Sequence, residues 1–413
     1  MATNLTSIPT LVESPFIIAT IGGVTFGSYT AGGSKAYGVN VNVTYPNFMK
    51  SMSIVKVNGT VNTYTLNFTY QVRAGEDPNL LDRIFSKATN DRKIILKYGD
   101  WNAPSYIYKE EQAIITGITS SLNMNNACID YTLTCTSDAI GLASNTYNFP
   151  SKTAKPSDEI IRLLKSNRYG LKQVFSGMTD INKVISNGFI ESNDKTVKLL
   201  AQNNVTVLSY LNYLVDSMVN ASNTTDGLSN SKYYLTIHDD YTNNNSGTYF
   251  KVTEVGTNIR TINSTDTYEI DINYPGDNFV TQFSLNNDQS WAILYEFSES
   301  VKQESYSYSI NDEGYIETTY APSLLRSNTS RQISSAKSEW WTKMTQFPVQ
   351  ASLTIKGLIR PSILMTYVKL NVLFNGGIKH ISSGLYIITK QTDTIDSTGY
   401  KTTLDLLRVG GDE

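Results

Sequence analysis

The sequence predicts a mainly β protein with α+β features: two antiparallel β modules, each with a packed helix, separated by a small α-rich domain and further strands. Three observations carry this. Residues 63–72 alternate cleanly, with Tyr64, Leu66, Phe68, Tyr70 and Val72 on one side and Thr63, Thr65, Asn67 and Thr69 on the other, the period of a half-buried strand. The 413 residues include 27 tyrosines, and Asn, Ser and Thr are abundant, a composition suited to strands and polar turns. Residues 383–409 form two alternating strands around Asp396-Ser397-Thr398-Gly399, with Leu385 and Ile387 sharing one face and Leu404 and Leu406 another.

Taken in order, residues 14–72 form a series of strands broken at Gly22-Gly23, with a hairpin turn at Asn58-Gly59. Asp77 and Pro78 then open a helix whose apolar face is Leu80, Leu81, Ile84, Phe85 and Ala88. Strands resume at residues 92–98 and 105–108, and residues 113–136 complete the first module. Pro156-Ser157 starts a helical pattern carrying Ile160, Ile161, Leu163 and Leu164; Thr206 caps another carrying Leu208, Leu211, Val215 and Met218. Residues 231–300 return to strands, 303–320 suggest an exposed hairpin, and 330–345 turn helical with Ile333, Ala336, Trp340 and Met344 near one face. The domains read 1–145, a β module; 146–230, α-rich; 231–320, β-rich; and 321–413, a second β module that strands from 231–300 can complete. A chain of this length exceeds the size at which a single core stops growing.

Ile114-Ile115-Thr116 and Ile387-Ile388-Thr389 each open a strand that passes through a polar turn into a Thr-rich return strand. This short echo suggests a repeat.

Net charge is −3, from 34 basic and 37 acidic residues without long blocks of either sign, so the surface is not built to capture a polyanion. The N-terminus lacks the basic start and apolar run of a secretion signal, and no window approaches 18 apolar residues. Synthesis in a cytoplasm and no membrane-spanning segment are expected. Cys128 and Cys135 lie on one strand facing opposite ways, read as small buried residues without a disulfide or a zinc site.

Sites of chemistry are weak. His238 and His380 each stand beside a predicted turn and read as surface or turn histidines. The stretch 27–35 misses the phosphate-loop spacing, because Gly33 stands where its lysine belongs. Asp239-Asp240 with Asn243, Asn244 and Asn245 lacks the ligand order of a calcium loop and reads as a polar hairpin turn. Glu110 and Glu111, adjacent on a strand, point to opposite faces and cannot easily flank one glycosidic bond. No catalytic residue, cofactor or metal is assigned. Trp341 is the candidate interface anchor, since helical spacing turns only one of Trp340 and Trp341 squarely inward.

Short motifs resemble the baseplate hub, or tail-tip hub, proteins of bacteriophage tails and related contractile injection machines. They are Ser383-Gly384-Leu385-Tyr386 and Gly399-Tyr400-Lys401-Thr402 near the C-terminus, then Tyr45-Pro46-Asn47-Phe48, Val57-Asn58-Gly59-Thr60-Val61-Asn62, Asp77-Pro78-Asn79 and Tyr98-Gly99-Asp100. The resemblance implies two tail-tube-like modules per subunit and a homotrimer whose pseudo-sixfold ring joins the tail tube to a threefold central spike. It further implies a virion protein of the tail baseplate or tip, assembled in the host cytoplasm, contacting tube, spike and other baseplate proteins while DNA passes through the lumen without specific binding. Because Glu413 follows the closing hairpin directly, wall digestion is expected of a partner. A peripheral receptor-binding tail protein and a cell-wall hydrolase are the alternatives.

Overall fold

The structure is a computed structural model. It describes residues 3–4, 15–28, 43–86, 93–100, 109–123, 125–171, 175, 178, 180–193, 195–218, 231–240, 247–256, 267–274, 280–287, 307–310, 316–319, 349–357, 364–375 and 377–411.

β1 (Thr3–Asn4), first in the chain, pairs with Tyr268 and Glu269 far downstream; the first module holds β2 (Pro15–Ile21), β3 (Val24–Gly27), β4 (Met49–Val57), β5 (Thr63–Gln71), α1 (Leu80–Ser86), β6 (Lys93–Asp100), β7 (Lys109–Asn123) and β8 (Cys128–Thr136). The alternation read in residues 63–72 is realised in β5: Tyr64, Leu66, Phe68 and Tyr70 enter the core while Thr65, Asn67 and Thr69 stay half-exposed. Helix α1 packs Leu81 and Phe85 onto that core, where the Phe85 ring meets Phe26, Phe68 and Tyr131. Ala88 lies outside the described residues.

A middle unit follows: β9 (Thr146–Phe149), β10 (Lys152–Ala154), α2 (Pro156–Lys165), α3 (Ile181–Ser186), β11 (Val197–Leu199), β12 (Gln202–Thr206), α4 (Val207–Asp216), β13 (Ser231–Asp240) and β14 (Gly247–Gly256). Both helices start as their sequences require. Pro156 occupies the first turn of α2 with Asp158 and Glu159, and the Thr206 hydroxyl accepts from Ser209 N at 3.1 Å.

The remainder is β15 (Thr267–Tyr274), β16 (Val280–Asn287), β17 (Ser307–Ile310), β18 (Ile316–Thr319), β19 (Val349–Lys356), β20 (Tyr367–Phe374), β21 (Ile378–Lys379), β22 (Gly384–Asp396) and β23 (Gly399–Gly411). The hairpin expected within 303–320 is present as β17 paired with β18. The expected helix at 330–345 lies outside the described residues.

The strands of segment 231–320 contribute to two different cores. Strands β13 and β14 share one core with α2 and α4, through Tyr233, Leu235, Ile237, Phe250 and Val252 against Leu163, Leu211 and Leu214. Strands β15 and β16 instead join β19, β20, β22 and β23 around Ile270, Ile272, Leu353, Leu370 and Leu404. The reason is tertiary: the apolar positions of β13 face helices, while those of β15 face another sheet layer.

One sheet spans both β modules. Strand β22 pairs with β23 along one edge. On the other edge its first half meets β20 and its second half, Lys390–Ile395, meets β4 of the first module.

Candidate functional site

The join between the modules is the feature that can do work. Through it β7, β8, β5, β4, β22, β23, β19 and β16 form one eight-stranded antiparallel ribbon. Register places on one face Thr119 and Ser121 of β7, Thr132 and Thr134 of β8, Thr65 and Asn67 of β5, and Ser51 and Ser53 of β4. The same face continues through Thr392 and Thr394 of β22, Thr403 of β23, Ser352 and Thr354 of β19, and Ser284 and Asn286 of β16. Hydroxyls and amides bond along it: Asn67 Nδ2 donates to Ser51 Oγ at 2.8 Å, Thr132 Oγ1 to Asn67 Oδ1 at 2.9 Å, and Thr354 and Thr403 share a hydrogen bond of 3.1 Å. Its charges are mixed, with Lys356, Lys390 and Lys401 against Asp130, Asp396 and Asp405, and Lys390 lies 3.4 Å from Asp405. The ribbon offers a long polar wall of nearly balanced charge.

The two halves of the ribbon are built alike. Both β7 and β22 bend at a bulge after the Ile-Ile pair, between Ile115 and Gly117 and between Ile388 and Lys390. In both, the skipped threonine turns its hydroxyl to the return strand, Thr116 to Thr134 O and Thr389 to Asp405 O, each at 3.1 Å. A second pair of bulges matches as well, at Lys50 in β4 and at Thr281 in β16. The short echo in the sequence is therefore a repeat of backbone geometry over four strands.

Beneath the join lies a buried polar network. Lys56 Nζ sits 2.6 Å from Glu111 Oε1, both side chains fully buried, and Tyr64 and Tyr98 each donate to that carboxylate at 2.7 Å. A buried ion pair survives only when its remaining lone pairs are satisfied, and the two phenols do this. Asp239, reaching in from β13, accepts from Asn62 at 2.5 Å, Ser137 at 2.8 Å and Thr248 at 2.9 Å. On the C-terminal side Asp393 accepts from Thr402 at 2.6 Å, Gln391 at 2.8 Å and Tyr400 at 3.2 Å. The Tyr98 and Tyr400 rings meet edge to face at 6.3 Å and connect the two groups.

Burial and then the neighbouring Glu111 charge push the Asp239 carboxyl above its ordinary value, although hydrogen bonds from Ser137 and Thr248 oppose them. Burial, reinforced by adjoining carboxylates, raises the Tyr64, Tyr98 and Tyr400 phenols, which remain donors. In the middle unit burial alone would raise Glu159. Hydrogen bonds from Arg162 and Lys152 reverse that and hold it below the ordinary value.

The hairpin read as 383–409 does the joining. Its tip residues Ile395 and Tyr400 lie in the first module's core rather than their own. Gly357 makes room for this: a Cβ there would stand 2.1 Å from the Tyr400 ring, and Gly357 N donates to Tyr400 O at 2.8 Å. Asp396 Oδ1 accepts from Thr398 N at 2.6 Å, and Gly399 takes a φ of 125° in the turn. The Ser383 hydroxyl accepts from Val372 N at 2.9 Å, and the Tyr386 hydroxyl donates to Ser382 O at 2.6 Å.

Several residues singled out in the sequence stand differently. His238 is buried in β13, within 2.8 Å of Thr236 Oγ1 and stacked on Tyr249, rather than at the surface; His380 is an exposed turn residue. Asp239 is not part of a solvated turn, because donors distant in sequence enclose it. Cys135 is buried but Cys128, on the polar face, is only half-buried. Glu110 and Glu111 do diverge, Glu110 to Lys97 at 3.0 Å and Glu111 inward to the buried pair with Lys56. Most of the stretch 27–35 and Asn243, Asn244, Asn245, Trp340 and Trp341 lie outside the described residues. Sequence reading passed over Lys56, Gln391 and Asp393. Each occupies an inward position of its strand, Lys56 continuing Met52 and Ile54, and that parity was the available signal. Among the described residues no cluster of His, Cys, Asp and Glu could hold a metal ion, and no helix is long and apolar enough to cross a membrane.

No protein-family model matches the sequence, and no curated protein does. The structural neighbours of the chain are phage tail proteins and components of type VI secretion. The 43 kDa tail protein of prophage MuSo2 from Shewanella oneidensis is similar with a TM-score of 0.48 and 9% identity over 95% of this chain and 98% of that one. The tail protein from Neisseria meningitidis MC58 is similar with a TM-score of 0.47 and 9% identity over 96% and 97%. The E. coli c3393 protein, a component of the type VI secretion system described as similar to T4 tail proteins gp27 and gp5, gives a TM-score of 0.42 and 9% identity over 87% and 73%.

Proposed function

We propose that this chain is a structural tail protein, a baseplate hub in which three copies form a ring of six like modules. The ring docks the sixfold tail tube on one side and a threefold spike on the other. The observation that carries this reading is the duplication: two four-stranded units with matching bulges, set side by side by strand pairing between β22 and β4. A subunit with two equivalent modules lets three copies present six. The motifs that resemble tail hubs, Ser383 to Tyr386 and Gly399 to Thr402, fall within this joining hairpin.

In the assembled ring the polar face of the ribbon lines the channel. Its hydroxyls, amides and mixed charges keep it wet and give a passing polyanion little electrostatic hold. The mechanism is geometric and non-enzymatic, with chemistry left to partners. Images of intact particles carrying a labelled chain test the reading. Density on the tail axis between tube and spike is expected; density at the tail periphery would favour a receptor-binding role and overturn it.

A further inference from the structure

The ribbon has an even number of strands, and among the described residues each of its end strands has an open edge. Strand β7 pairs with β6 only up to Ile114; beyond its bulge, residues 117–123 pair with β8 alone among the described residues. Strand β16 pairs with β19 alone among them. The repeat says what these edges correspond to. Residues 117–122 occupy in the first module the place of 390–395 in the second, and 283–287 occupy the place of 52–56. Within the chain 390–395 and 52–56 are the strands that pair.

Burial shows what is missing. Ile395 and Ile54 are 2% and 0% exposed at the internal join, whereas their counterparts Leu122 and Leu285 are 70% and 40% exposed. Ile118, counterpart of the fully buried Gln391, is 43% exposed. Three of the few large exposed apolar residues thus stand where the repeat calls for cover.

We propose that β7 of one copy pairs antiparallel with β16 of a second copy of this chain, repeating the join of β22 with β4. The inference rests on the hub reading for the number of copies alone. Transferring the internal register sets Ile118 opposite Asn287 of the next copy, Thr119 opposite Asn286, Ser120 opposite Leu285, Ser121 opposite Ser284 and Leu122 opposite Phe283. Strand direction agrees, because successive ribbon strands alternate and an eighth strand therefore meets a first strand antiparallel. Leu122 then enters the C-terminal core of the next copy beside Phe283, as Ile395 enters the first module's core. The contact is head to tail, so it closes only as a ring.

Opposed residues of an antiparallel pair are close enough for a disulfide, and one two residues further along is not. In a Cys128→Ser background, Ser121→Cys with Ser284→Cys should link copies to one another on oxidation. Ser121→Cys with Asn286→Cys should not. Leu122→Lys, on a residue exposed in the lone chain, should leave the far-ultraviolet spectrum unchanged and abolish linking by the first pair. Linked species of three copies support the seam and the hub reading together. A linked ladder beyond three supports the seam and counts against the trimer. A trimer by mass that forms no link, or links in both registers, overturns the seam while leaving the hub reading standing; links confined within single chains also overturn it.

Discussion

The two β modules agree on one side and differ on the other. Their ribbon strands share two bulges, and Thr116 and Thr389 make the same hydrogen bond. Behind the ribbon they part: β6 pairs antiparallel with β2, whereas β20 pairs parallel with β15. The edges differ too. The second module's long strand is covered by β4 and backed by the Lys56–Glu111 pair, while residues 118–123 of the first are exposed. A surface that must meet a neighbour in a fixed register keeps its geometry, whereas a layer that only closes a core needs apolar volume and tolerates a change of topology.

The largest effect should come from the network under the covered edge. Lys56→Met leaves Glu111 buried without its cation and should cost about 3–5 kcal/mol in urea unfolding, with Lys56→Met/Glu111→Gln costing much less. A single-variant loss under about 1 kcal/mol would show the pair to be incidental to the join.

Next in size is the contrast between equivalent residues. Ile395→Ala empties a place in the first module's core and should cost about 2–5 kcal/mol. In the unassembled chain Leu122→Ala should change stability by no more than about 0.5 kcal/mol, since its side chain lies mostly in water. Equal losses at both positions would break the comparison between covered and open edges.

Two buried carboxyls give opposite pH slopes. Asp239 holds its proton more tightly folded than unfolded, so stability falls as pH rises from 3.8 through its raised folded value, and Asp239→Asn removes that segment. Glu159 is held low, so its contribution is present above 4.5 and is lost as pH falls through its lowered value. Urea midpoints measured across acid pH for wild type, Asp239→Asn and Glu159→Gln distinguish the two signs. Thr206→Ala should cost about 1 kcal/mol through the lost helix cap, with no change in assembled mass.

Local patterns were legible in the sequence wherever burial follows strand or helix period. The faces of β5, α2 and α4 and the turn at Asp396 to Gly399 are of this kind. The Ile-Ile-Thr echo was legible as well, although its meaning, a shared bulge, depends on partner strands. What could not be read was polar burial. Asp239 looks like a turn residue until Asn62 and Ser137, more than a hundred positions away, supply its donors, and Lys56 looks like a solvated strand end until Glu111 lies beside it. That β13 and β14 share a core with the helices is illegible for the same reason: alternation says that a strand has a buried face, not what covers it.

The most direct test of the central claim is the mass of the native chain in solution, measured alone and with the tube and spike proteins that the proposed hub role calls for. Assembly of three chains, lost in Leu122→Lys while the monomer stays folded, is the predicted result. A chain that remains a monomer in every mixture would contradict the account.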